Sequence, residues 1–137
     1  MINNPYAAYK RQSVTTMTPV EIVIKLYDET ERQLNRGIHF IGQKEFAEAN
    51  KAMTKSYECV KALQSVLDMK VPMSADLDKL YDFFGREILK ANMKKDVAVI
   101  NALLPMLGEL KDAFTQISRM PREQILQQEY AQNRMTY

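Results

Sequence analysis

The chain has 137 residues, of which 46% are hydrophobic, and this is enough for one compact domain with its own core. Glycine (4) and proline (5) are scarce, so a sandwich or barrel rich in tight turns is disfavoured. The 19 basic and 17 acidic residues are mixed along the chain and form no basic stripe, which argues against a nucleic-acid partner.

The N-terminal stretch combines two helix-start signals, one at Asn4 and Pro5 and one at Thr18 and Pro19. A helix confined to about a dozen residues is marginal in water unless it docks onto something larger. Tyr6 and Tyr9 are three residues apart and therefore share one helical face, with the apolar Val14 following them. We expect residues 1–16 to form a cap or lid that lies on the rest of the protein.

The first long helix is predicted to start at a capping box, in which the Thr18 hydroxyl and the Glu21 carboxylate satisfy backbone N–H groups. Its apolar residues then recur at spacings of three, four or seven, which is the period of an α-helix. Gly42 suits its end. The apolar stripe comprises Val20, Val23, Ile24, Tyr27, Leu34, Ile38 and Ile41.

Three further amphipathic segments follow. The second helix is predicted over about residues 45–69, and a third begins with Ser74 as its cap and ends at Asn92. Asp96 is predicted to cap a fourth helix, which contains Pro105 and runs to Ser118. The apolar seam of the second helix comprises Phe46, Ala49, Met53, Ser56, Val60, Leu63 and Leu67. Four residues beside the seam widen this face enough for the helix to touch two neighbours: Ala52, Tyr57, Cys59 and Val66.

Four amphipathic helices joined by short loops predict an all-α fold, an antiparallel up-down four-helix bundle over residues 17–118. The apolar pattern weakens after Ser118. Residues 119–137 are therefore expected to form either a short helix or a tail.

The sequence offers little material for catalysis or metal binding. His39 is the only histidine, and the residue three positions before it is Arg36, so the Glu-x-x-His motif of di-iron bundles is absent. Cys59 is the only cysteine, which favours a reducing compartment and reads more readily as a small buried hydrophobe than as a nucleophile. We expect a cytoplasmic binding protein that is not an enzyme, has no cofactor and does not insert into a membrane.

Several short stretches stand in a fixed order along the chain: NPYAAY from Asn4, SVTT from Ser13, TPVEI from Thr18, LY at Leu26, KA at Lys51, LYD from Leu80 and ANMKKD from Ala91. Together they resemble the flagellar secretion chaperone family, FliS, over about residues 4 to 118. Three positions depart from that pattern. Val20 stands where the family often has glycine, Phe114 where an aromatic residue, often tryptophan, is usual, and Pro105 is uncommon.

The resemblance implies a cytosolic helical bundle that binds the disordered C-terminal segment of flagellin, prevents premature polymerisation and helps deliver flagellin to the export gate. Its N-terminal segment would then act as a lid near the surfaces that flagellin uses. Apolar residues flanking the helix seams, together with the two head tyrosines, are the candidate partner-binding positions: Tyr6, Tyr9, Val14, Ile22, Leu26, Met53, Tyr57, Val66, Phe83 and Leu89. The alternative is a structural bundle that self-associates through its wide apolar stripes, and either a monomer or a weak homodimer is compatible with the sequence.

Overall fold

The computed structural model describes residues 17–120 of the chain, and these residues form four α-helices. They are α1 (Pro19–Gly42), α2 (Phe46–Ser65), α3 (Ser74–Lys94) and α4 (Val97–Ser118). Each helix packs against the next along the chain, and α4 returns to pack against α1, which closes a ring. The prediction of an all-α four-helix bundle is confirmed. The N-terminal cap and the C-terminal helix or tail lie outside the described residues.

The start of α1 has the predicted capping box. The Glu21 backbone N–H donates to Thr18 Oγ1 at 3.2 Å, and the Thr18 backbone N–H donates to Glu21 Oε1 at 3.3 Å. Pro19 occupies the first turn, where its missing N–H removes a donor that would otherwise need a partner. Local sequence alone is therefore sufficient to position the first residue of the bundle.

The core joins three helices around a pair of tyrosines. The hydroxyls of Tyr27 in α1 and Tyr81 in α3 are 2.7 Å apart, and the ring centroid of Phe114 in α4 lies 5.7 Å from that of Tyr27. Apolar side chains from all four helices surround them: Leu34, Met53, Val60, Leu63, Leu77, Phe84, Ile88, Ile100, Leu103 and Leu107. The polar hydroxyls satisfy each other, so the core can exclude water around them.

Small residues allow the helices to approach closely at two places. A Cβ added at Gly37 in α1 would lie 2.7 Å from Met53 Sδ in α2, and one added at Gly85 in α3 would lie 3.3 Å from Tyr57 Cε2. Met53 was predicted to face a partner, but its side chain is fully buried against Gly37 in the described bundle. We therefore place Met53 in the core.

Two helix boundaries differ from the predictions. The second helix ends at Ser65 and not near Met69, since Asp68 Oδ1 accepts the Lys70 N–H at 3.0 Å and stabilises a turn instead. Ser74 does not cap α3, because its hydroxyl donates to the Asp68 carbonyl at 2.7 Å. The connection over residues 66–73 is thus longer than expected and is tied down by polar contacts of its own.

The end of α3 also lies beyond the predicted residue. Asn92 remains helical, because its side-chain amide donates across to Asn50 Oδ1 in α2 at 2.8 Å. The left-handed residue is Lys95, with φ of 51°, and its Nζ donates to the Asn92 carbonyl at 2.6 Å. The start of α4 at the Asp96 cap is confirmed, since Asp96 Oδ1 accepts the Ala98 N–H at 3.0 Å.

Candidate partner-binding surfaces

The described bundle leaves several large apolar side chains at its surface. Their exposed fractions range from 36% to 81%. Exposed apolar residues that cluster into a patch mark interaction sites, whereas residues exposed singly do not. They are Phe46, Val66, Met69, Met73, Phe83, Leu89, Met93 and Met106. The helix geometry sorts most of them onto distinct surfaces.

The first surface is a groove between α3 and α4, the adjacent helices that make the fewest contacts in the ring. The opposite side of α4 is joined to α1 by ion pairs, since Lys111 Nζ lies 2.7 Å from Glu31 Oε1 and 3.2 Å from Asp28 Oδ1. These carboxylates raise the pKa of Lys111. Met106 is five positions from Lys111, which places it about 140° around the helix axis from the ion pairs, on the side of α4 that faces α3.

The two walls of this groove stand at the same height. Lys94 and Val97 flank the tight turn between α3 and α4, so Phe83, which precedes Lys94 by about three turns, lies near the level of Met106. Phe83 is 36% exposed and Met106 is 37% exposed, while Leu80 and Leu110 are half-buried and packed on the core. We call the surface made by Leu80, Phe83, Met106 and Leu110 the α3–α4 groove.

The second surface is a cleft of about 350 Å³ between α1 and α2, which we call the α1–α2 cleft. Leu26, Cys59 and Ala62 supply apolar atoms to it, and its remaining lining is polar or charged: Glu29, Arg32, Gln33, Arg36, Lys55 and Glu58. Glu29 is already engaged, since it accepts hydrogen bonds from Arg32 at 2.6 Å and from Gln33 at 2.9 Å. The cleft can therefore receive a segment that is apolar at its centre and charged at its edges.

The third surface lies across α2 and α3. Tyr57 is half-buried against Gly85, and Leu89 is one turn beyond Gly85 on the same helix face. Leu89 is 48% exposed. We call the set Phe46, Tyr57, Leu89 and Met93 the upper α2–α3 face.

The predicted partner-binding residues are thus spread over separate surfaces. Leu26 lines the α1–α2 cleft, with Ile22 one turn before it, and Phe83 lies in the α3–α4 groove. Tyr57 and Leu89 share the upper α2–α3 face, whereas Val66 is 48% exposed immediately after α2. Tyr6, Tyr9 and Val14 fall outside the described residues.

Met106 is a groove residue that the sequence reasoning missed. The signal was present, because Met106, Leu110, Ala113 and Ile117 recur at helical spacing beside the main seam of α4. The core residues of α4 have a stronger helical period, and this second stripe is hard to separate from theirs in the sequence.

The residues considered for chemistry have ordinary surroundings. His39 is exposed and its ring lies 5.3 Å from that of Phe40, which fits the predicted surface position. Cys59 is half-buried in the wall of the α1–α2 cleft, and so is less buried than its sequence position indicated. Within residues 17–120, no group of three metal-ligating side chains could hold an ion, and no helix is both long and apolar enough to cross a membrane.

Comparison with known proteins places this bundle in a family. The family model for the flagellar protein FliS matches residues 2–121, which is nearly the whole chain. The flagellar secretion chaperone FliS of Bacillus subtilis (strain 168) is 26% identical over 122 residues, covering 89% of this chain and 92% of that protein. The FliS chaperones of Salmonella typhimurium (26% over 109 residues, 77% of this chain and 81% of that protein) and Vibrio cholerae (28% over 116 residues, 80% and 85%) are also similar. The chain therefore belongs to the FliS family of flagellar secretion chaperones.

Proposed function

We propose that this chain is a cytoplasmic export chaperone that binds the disordered C-terminal segment of flagellin and holds it until export. Family membership supports the chaperone role in flagellar export. The observation that supports a client-binding groove is the pair Phe83 and Met106, which stand on opposite walls and each expose more than a third of their surface. The mode of action is binding alone, without cofactor or metal.

Such a client would gain free energy by burying apolar surface against the bundle. A disordered segment loses conformational entropy when it becomes ordered, and it must recover that free energy from contacts along a long path. The apolar stripe from Met106 to Ile117 spans ~16 Å at 1.5 Å per residue, which matches about three turns of a client helix. An amphipathic client helix would lie in the α3–α4 groove with its apolar side toward Leu80 and Leu110.

The α1–α2 cleft offers a second stretch of the client path. Ile22 and Leu26 lie one turn apart on α1, and Leu26 supplies apolar atoms to the cleft. A client wrapped over both surfaces would have its assembly-competent segment covered, which is how binding would prevent premature polymerisation. Val66, exposed beyond the end of α2, would contact the client where it passes this end of the bundle.

The head segment, residues 1–16, is proposed to act as a lid that competes with the client. Its two tyrosines, Tyr6 and Tyr9, combine a large apolar ring with a polar tip, and Val14 adds an aliphatic contact. Once displaced, the same tyrosines would be free to contact the flagellar export gate. Replacing both tyrosines with alanine should change the affinity for flagellin and leave the helical content of the bundle intact.

The proposal is tested by Phe83→Ser, with affinity for a C-terminal flagellin peptide measured by calorimetry. Covering the exposed 36% of a ring of about 200 Å² buries about 70 Å², worth about 1.8 kcal/mol at ~25 cal/mol per Å². The expected loss is about 20-fold in affinity. Phe46→Ser is the matched control, since Phe46 is 49% exposed at the start of α2 and lies outside the groove. Equal losses from both variants would contradict the proposed groove.

Self-association is the competing function, because the same exposed apolar residues could close a homodimer. Sedimentation of the full chain with and without the flagellin peptide separates the two. A monomer that gains one peptide supports the chaperone, whereas a stable dimer that ignores the peptide supports the structural bundle.

A further inference from the structure

The apolar wall of the α3–α4 groove continues along the whole of α4, and we call it the α4 stripe. Its residues recur at steps of three and four, and all of them are apolar: Val99, Ala102, Met106, Leu110, Ala113 and Ile117. Ala102, Met106 and Ala113 are exposed, so the described part of α3 does not cover the stripe. The opposite side of α4 packs against α1. A helix that is apolar on two sides is typically covered on both.

The α4 stripe leads to the point where the chain leaves the bundle. The helix ends at Ser118, and the Met120 N–H donates to the Ile117 carbonyl at 3.1 Å as the chain bends. Pro121 follows directly. A proline disfavours a helical conformation in the residue before it and suits the first position of a new helix. The sequence therefore favours a change of direction beside Ile117.

Residues 121–137 lie outside the described part of the structure, but their sequence predicts an amphipathic helix of matching length. Leu126, Tyr130 and Tyr137 are four and seven residues apart and so share one helical face. They span ~16 Å at 1.5 Å per residue, which is also the distance from Met106 to the end of the α4 stripe. A helix this short is marginal in water unless it docks onto an apolar surface.

A chain that reverses direction at Pro121 brings the two apolar faces together. Each residue of the new helix then returns by about one residue along α4, since both helices rise by ~1.5 Å per residue. Counted in this way, Leu126 reaches the level of Ala113, whose small side chain leaves room for it. Tyr130 reaches the level of Leu110, which lies in the α3–α4 groove itself.

We propose that residues 121–137 fold back as an amphipathic helix into the α3–α4 groove and act there as an internal competitor of the client. The docking depends on the groove alone, whereas the competition rests on the proposed function, in which flagellin uses the same surface. Leu126 is six residues beyond Met120, and a segment on so short a tether has an effective concentration on the order of millimolar. A weak contact is therefore enough to fill the groove. The client must displace the segment, which lowers its apparent affinity by the fraction of chains whose groove is open.

Position favours this occupant over the other segment outside the described residues. Residues 1–16 join the bundle at α1, whose neighbours in the ring are α2 and α4, so they enter on the side of α4 that faces away from the groove. Residues 121–137 continue from α4, which is a wall of the groove. Charge does not choose the occupant, because both signs occur at the groove edges (Asp76, Lys79, Glu87, Lys90, Lys94 and Glu109) and in the segment (Arg122, Glu123, Glu129 and Arg134).

The docking is tested by tryptophan fluorescence, since the chain has no tryptophan of its own. Tyr130→Trp in the full chain places the probe on the docking face. Met135→Trp is the matched control, because position 135 is about 180° from Leu126 around the helix axis. Iodide should quench the Tyr130→Trp variant about twofold more weakly than the control, since docking covers about half of the ring.

A second substitution locates the contact. Phe83→Ser in the groove should abolish the difference in quenching, whereas Met73→Ser, at a 46% exposed position before α3, should leave it unchanged. Circular dichroism checks that both variants keep their helical content. Equal quenching of the two tryptophan variants would overturn the proposal. So would a difference that Met73→Ser abolishes and Phe83→Ser does not, or one that disappears on dilution, which would assign the groove to a second copy of the chain.

The competition is tested with a C-terminal flagellin peptide and the full chain. Leu126→Ser should raise the affinity for the peptide about tenfold if the segment fills the groove in about nine chains of ten, and Met135→Ser should leave it unchanged. An affinity that Leu126→Ser leaves unchanged or lowers would refute the competitor. A peptide that binds none of these proteins would refute the proposed function instead, while the quenching difference still decides whether residues 121–137 dock.

Discussion

The hydrogen bond between Tyr27 and Tyr81 gives a sharp test of the core. The two hydroxyls are 2.7 Å apart, and the side chains are 0% and 1% exposed. Tyr27→Phe removes one hydroxyl and leaves the other buried without its partner, and Tyr81→Phe does the reverse. The double variant removes both and leaves two rings of nearly unchanged shape.

The magnitudes follow from that pairing. A buried hydroxyl left without a partner costs about 1–3 kcal/mol, so each single variant should lower the free energy of unfolding by that amount. Replacing both partners by apolar groups of the same shape is nearly neutral. The double variant should therefore be more stable than either single variant, and its loss should be well below the sum of the two.

The unmodified chain, the two single variants and the double variant form a double-mutant cycle. Urea unfolding followed by circular dichroism at pH 7 measures the free energy of unfolding of each. A double variant whose loss equals the sum of the single losses would refute the reasoning, because it would show that the hydroxyls act independently. Phe114, whose ring lies 5.7 Å from that of Tyr27, is unchanged throughout and reports that the core packing is retained.

The same pair predicts how stability depends on pH. Burial raises the pKa of Tyr27 and of Tyr81 above the ordinary value of 10.0, so the folded protein keeps both protons where the unfolded chain loses them. Their stabilisation is complete below pH 10 and declines as pH rises above it, by up to about 1.4 kcal/mol per pH unit for each tyrosine. The double phenylalanine variant should lose less stability between pH 10 and 11 than the unmodified chain does.

Two further predictions concern the backbone. Gly37→Ala places a methyl group 2.7 Å from Met53 Sδ in the buried α1–α2 contact and should cost about 1–3 kcal/mol, whereas Gly42→Ala meets nothing within 4 Å and should be neutral or stabilise by up to about 1 kcal/mol. Thermal unfolding of the pair checks this, and equal shifts of Tm would contradict it. Thr18→Ala removes the acceptor of the Glu21 N–H and should cost about 1 kcal/mol in urea unfolding, so an unchanged midpoint would show that the capping box contributes nothing.

Much of the bundle could be predicted because its signals are local. The capping box at Thr18 and the cap at Asp96 involve partners two or three residues away, and both appear in the structure as expected. The helical period of the apolar residues likewise fixed the number and approximate length of the helices. These features depend on neighbouring residues and not on the way the helices meet.

The misplaced boundaries arose where a distant partner decided the outcome. Asn92 does not end α3 because its amide reaches Asn50, forty-two positions earlier in the chain, and Ser74 does not cap because its hydroxyl bonds the Asp68 carbonyl. The Tyr27–Tyr81 bond spans fifty-four positions. No periodicity in one helix can indicate such contacts.

The candidate surfaces could be predicted only in part, for a similar reason. Apolar residues beside a seam are visible in the sequence, but whether they face a neighbour or solvent depends on how closely two helices approach. Met53 and Phe83 both flanked predicted seams, yet Met53 is buried against Gly37 while Phe83 is exposed where α3 and α4 make few contacts with each other. Family resemblance supplied the kind of partner, and the packing of the helices indicates where that partner is proposed to bind.

The central claim is that the flagellin segment occupies the α3–α4 groove, and methyl NMR of the full chain with a C-terminal flagellin peptide tests it most directly. The account predicts that the Leu80, Met106 and Leu110 methyl signals shift on binding and saturate at one peptide per chain, while the Met93 signal stays in place. Shifts confined to Leu89 and Met93, with the groove signals unchanged, would contradict it.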